Sequence, residues 1–110
     1  MRELDYNTVE YERAYSTLKA INDQLNELNT FEDVEAFIDD TLSISVVHDI
    51  HNHIADGFIV DITVGGPYIY LDTRKNVLMY TTAAGSLAWY PRFEKIKLID
   101  DYINDYLYQI

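Results

Sequence analysis

The only cluster in this sequence with metal-ligand residue types is His48-Asp49-Ile50-His51-Asn52-His53, which holds all three histidines of the chain. On a helix His48 and His51 would lie three apart and could share one ion. A zinc centre takes three or four protein ligands, and with no cysteine and no further histidine an Asp or Glu would have to complete it. The better reading is a solvated or capping histidine cluster, and neither a metal nor any other cofactor is expected. The pairs Asp39-Asp40 and Asp100-Asp101 could in principle hold a divalent cation, but neighbours on a helix point about 100° apart. The Gly-x-Ser-x-Gly and Gly-x-x-x-x-Gly-Lys patterns of hydrolases and phosphate binders are absent. Gly65-Gly66-Pro67 is explained as a turn between strands. The chain therefore reads as a protein that is not an enzyme.

What remains are charges and rings. The formal charge is −11, from 19 Asp and Glu against 8 Lys and Arg. Residues 1–56 hold 13 acidic and 3 basic side chains, against 6 and 5 in residues 57–110. The densest set is Asp23, Glu27, Glu32, Glu35, Asp39 and Asp40, a candidate contact for a basic partner. Direct binding to nucleic acid is disfavoured, because such a surface repels phosphates, and Arg74, Lys75, Arg92, Lys95 and Lys97 make no dense stripe. A second candidate is aromatic. Tyr68, Tyr70 and Tyr80, joined by Trp89 and Tyr90, are expected on or beside a sheet face turned away from the helices, and Tyr and Trp are frequent binding anchors.

These residues need elements to hold them. Phe58 to Thr82 reads as three antiparallel strands. Phe58, Val60, Ile62 and Val64 alternate with Ile59, Asp61 and Thr63, and turns fall at Gly65-Gly66-Pro67 and Thr73-Arg74-Lys75-Asn76. Ser86 to Tyr90 makes a fourth, edge strand stopped by Pro91. Ahead of the meander, Asn7 caps a long helix with Glu10 closing a capping box, and Tyr11, Ala14, Leu18, Ile21, Leu25 and Leu28 form its apolar seam. Thr30 to Asp33 repeats the cap pattern, and Val34, Phe37, Ile38 and Leu42 line the buried face of a second helix. Ser43 to Asp56 fits a short helix through Val47, Ile50 and Ile54, ended by Gly57. Its β-branched run fits a strand nearly as well, and helix is favoured. A last helix runs from Phe93, with Ile96, Ile99, Ile103, Tyr106 and Ile110 inward.

The expected architecture is one α+β domain over residues 1–110. A three- to four-stranded antiparallel meander carries the N-terminal helices and a C-terminal helix on one face. Val60, Ile62, Ile69, Leu71 and Val77 are expected beneath Leu18, Leu25 and Ile103. The lack of cysteine suits a reducing cytosol, and no apolar run is long enough to span a membrane, so a cytoplasmic location is expected.

Small, cysteine-free, strongly acidic domains rich in tyrosine resemble the anti-defence proteins of phages and mobile elements, among them antirestriction DNA mimics, anti-CRISPR proteins and inhibitors of uracil-DNA glycosylase. Gly65 to Thr73 also looks like a segment of small acidic proteins from Gram-positive phages. The resemblance implies a nucleic-acid mimic that blocks a basic nucleic-acid-binding protein, such as a nuclease, restriction enzyme, glycosylase or CRISPR effector. The alternative is a protein-interaction module or homodimeric assembly factor that uses the aromatic sheet face.

Overall fold

A computed structural model of the chain describes residues 2–48 and 55–107. Helix α1 (Val9–Asn26) is capped by Thr8, whose hydroxyl accepts from the Tyr11 amide at 3.2 Å. The expected cap Asn7 lies one residue too early; its own amide donates to the Asp5 carboxylate in the preceding turn. The predicted seam holds, with Ala14, Leu18, Ile21, Leu25 and Leu28 buried.

Helix α2 (Phe31–Asp39) begins in the predicted capping box, Thr30 with Asp33. Val34 is buried, and Phe37 and Ile38 are half-buried. Leu42 lies beyond the helix end and is 61% exposed, so it is not part of the buried face.

The segment after α2 corrects the helical expectation. Strand β1 (Ser43–His48) is antiparallel to β2 (Ala55–Thr63), with Ile44 opposite Val60 and Val46 opposite Phe58. β-branched side chains sit better on this pleat than in a helix. Ile50, Ile54 and the cluster from Asp49 to His53 lie outside the described residues.

β3 (Tyr68–Asp72), β4 (Val77–Thr82) and β5 (Gly85–Trp89) complete a five-stranded antiparallel sheet in the order β1-β2-β3-β4-β5, larger than the three or four strands expected. Asn76, with φ of 56°, takes the left-handed conformation that closes the turn between β3 and β4, and the buried Asp72 carboxylate accepts from the Arg74 and Lys75 amides.

The helices pack on one face, as expected. Phe58, Val60, Ile69, Leu71, Leu78 and Tyr80 form one core with Leu18, Leu25, Ile96, Ile99 and Ile103. Ile62 is only half-buried, and the alternation of β2 breaks at a register shift between Asp61 and Thr63, which leaves Val64 65% exposed. Val77 is buried, but it pairs with Asp72, one step out of phase with the inward pair Leu71 and Leu78, and so lies on the opposite face. Helix α3 (Phe93–Tyr102) buries Ile96 and Ile99 and passes into a π-helical turn, Ile103–Leu107, where Ile103 is buried and Tyr106 is 61% exposed. The predicted inward position of Tyr106 is thus corrected, and Ile110 lies outside the described residues. No described helix is long and apolar enough to cross a membrane.

Candidate functional site

Helix α2 carries the carboxylates in two stripes. Glu32, Glu35 and Asp39 recur at spacings of three and four, and Asp33 and Asp40 fall on a neighbouring line. Glu32 and Glu35 of the first stripe line a groove of about 390 Å³ whose walls include Phe31, Tyr102 and Tyr106. Phe31 meets Tyr102 and Tyr106 edge-on, at centroid distances of 5.7 and 5.5 Å. Burial raises the pKa of the Tyr102 phenol, and the Glu35 and Asp39 charges raise it further. The second line meets Glu27, at the end of α1, across a groove of about 350 Å³ floored by Leu28, Phe37 and Ile62. Asp33 is occupied by the helix cap. Its carboxylate accepts from the Asn29 and Thr30 amides at 2.9 and 3.1 Å, and these bonds lower its pKa.

The six predicted carboxylates therefore do not form one face. Asp23, one turn before Glu27 on α1, lines neither groove and pairs with Lys19 at 3.4 Å. Among the described residues, Glu27, Glu32, Glu35, Asp39 and Asp40 have no ion-pair partner. Three of the cations are committed elsewhere. Lys95 donates to the Leu28 carbonyl at 2.6 Å and to Asn29, Arg92 pairs with Glu94, and Lys97 pairs with Asp101. Five uncompensated carboxylates around one short helix repel one another, and a cationic partner would relieve that repulsion.

The sheet face away from the helices holds the second predicted set, with a correction. Tyr68 and Tyr70 are there, half-buried, their ring centroids 4.9 Å apart. Tyr80 is not. It pairs with Ile69 on the helix side and is 3% exposed. Trp89 also faces the helices, opposite Leu78 and against Tyr15 of α1 at 5.3 Å. Tyr90 is 72% exposed beyond the end of β5 and lines a groove with Tyr70, Met79 and Ala88. The Tyr68 hydroxyl donates to Asp61 at 2.6 Å, and the other oxygen of that carboxylate accepts from Ser43 at 2.7 Å. Sequence reasoning missed this network and the Phe31, Tyr102 and Tyr106 cluster, because each joins residues from different elements.

Among the described residues no three His, Asp or Glu side chains stand close enough together to hold a metal ion. Compared with known proteins, the chain matches no family model, no curated protein and no solved structure.

Proposed function

We propose that the chain is a non-enzymatic acidic inhibitor, acting in the cytoplasm, that occupies the basic nucleic-acid groove of a partner and so competes with DNA or RNA. The partner class is a nuclease, restriction enzyme, glycosylase or CRISPR effector. The observation that carries this reading is that, among the described residues, Glu27, Glu32, Glu35, Asp39 and Asp40 have no ion-pair partner. Carboxylates left open to solvent steer a Lys- and Arg-lined surface as phosphates do, and they raise the association rate more than they deepen affinity. A panel of purified proteins from these classes, each assayed for DNA binding with and without the chain, tests it. At least one should lose DNA in a salt-sensitive manner, because exposed charges are screened over about 8 to 10 Å at physiological ionic strength. The variant Glu32→Gln, Glu35→Gln, Asp39→Asn should associate more slowly with that partner and remain folded. Failure to displace DNA from every member of the panel, or undiminished competition by the triple variant, would reject the reading.

A second reading is a protein-interaction module that uses the open sheet face. It is favoured by the half-buried Tyr68 and Tyr70 pair, which no described helix covers. Binding that is insensitive to salt and lost in Tyr70→Ala would select it over the first.

A further inference from the structure

We infer that the outer edge of β1 is an interface through which two copies of the chain pair, joining their sheets edge to edge. The two edges of the sheet are treated differently. At β5 the chain covers itself: the Leu4 amide donates to the Ser86 carbonyl and the Ser86 amide to the Arg2 carbonyl, both at 2.8 Å. The Arg2 guanidinium also reaches the Ala84 carbonyl at 2.8 Å. At β1 no described segment does this.

The hydrogen bonding of the next strand fixes which groups β1 leaves open. The Thr73 amide donates to the Phe58 carbonyl, and the Phe58 amide donates to the Thr73 hydroxyl, both at 2.9 Å. Phe58 therefore turns its amide and carbonyl toward β3. In an antiparallel ladder Val46, directly opposite Phe58, then belongs to a pair without mutual hydrogen bonds, and so does Ile44 two residues earlier. The amides and carbonyls of Ile44 and Val46 point away from β2, along the open edge.

Such edges are usually blunted by Lys, Pro or an inward charge. From Thr41 to His48 the chain has no acidic or basic residue other than His48 and no proline. The side chains point the same way. Ile44 and Val46 are only half-buried at the rim of the core, and Leu42 beside them is 61% exposed.

A second copy fits this edge because antiparallel pairing about a two-fold axis through Ser45 is self-complementary. It sets Ile44 opposite the partner's Val46, so apolar side chains meet on the helix side, and it forms four backbone hydrogen bonds from the groups that point outward. Charge restricts where copies can meet. Copies of net charge −11 repel one another, and this strand, which carries no acidic side chain, is a place where they can touch. Asp61, on the adjacent strand, is already held by Ser43 and Tyr68.

Light scattering coupled to size exclusion, over a dilution series, tests the inference. The wild-type chain should run at twice its 12.8 kDa mass and dissociate on dilution. Val46→Pro removes an outward amide without breaking a bond to β2, so it should run at the single-chain mass with an unchanged circular dichroism spectrum. Ser45 is exposed, and Ser45→Lys and Ser45→Glu would each place like charges across the axis. Each alone should be monomeric, and an equimolar mixture should recover the double mass. The inference is overturned by a wild-type chain that is monomeric throughout, by a dimer that either Ser45 variant leaves intact, or by a mixture that stays monomeric.

Discussion

The Tyr68 hydroxyl donates to the Asp61 carboxylate at 2.6 Å across the open face of the sheet. Burial, followed by that hydrogen bond and the Asp61 charge, pushes the Tyr68 pKa up to about 12 from the ordinary 10.0. Because the folded pKa is raised, the associated stability is fully present below pH 10 and is lost as pH rises through about 12. A tyrosinate absorbance titration should show a late step near pH 12. Asp61→Asn should bring that step down toward the ordinary value while burial keeps it somewhat raised; an unchanged titration would remove Asp61 as a cause.

Thr73 links three elements. Its hydroxyl accepts from the Phe58 amide and donates to Asp100 of α3, both at 2.9 Å. Thr73→Val removes both bonds and should cost about 1 to 3 kcal/mol, whereas Asp100→Ala removes only the second of them and should cost less. Urea unfolding of both variants checks the order; equal costs would mean that the turn-to-helix bond dominates.

The cap of α2 has a predictable acid limb. The Asp33 pKa is lowered by the Asn29 and Thr30 amides, so its contribution is present above the unfolded value of 3.8 and is lost as pH falls through the lower folded value. Asp33→Asn should therefore flatten the dependence of wild-type stability on pH below about 4. Thr30→Ala should cost about 0.5 to 2 kcal/mol at neutral pH. Denaturant midpoints across pH measure both.

Gly85 has a φ of 146°, and a Cβ built there would stand 2.8 Å from the Arg2 carbonyl oxygen. Gly85→Ala should lift the N-terminal arm from β5 and destabilise the fold by about 1 to 3 kcal/mol. Hydrogen exchange at the Leu4 and Ser86 amides reads the effect directly; retained protection there would show that the arm can move without detaching.

Local pattern was enough for much of this protein. The spacing from Ala14 to Leu28 made one buried helical seam, Thr30 and Asp33 made a capping box, and the α+β class followed from helices that flank a meander. These features are set within a few residues of chain, where periodicity and capping act. The phase between strands is not local. Tyr80 shares its strand with outward Met79, and only the pairing across the Thr73 to Asn76 turn, Leu71 with Leu78 and Ile69 with Tyr80, turned it to the core. Ser43 to His48 became a strand because β2 supplied its hydrogen bonds, a long-range term that cannot be read from the segment itself. The carboxylates of α2 were legible as a dense set. Their division between two grooves was decided by where α1 and the end of α3 packed against that helix, since the walls of each groove come from distant parts of the chain.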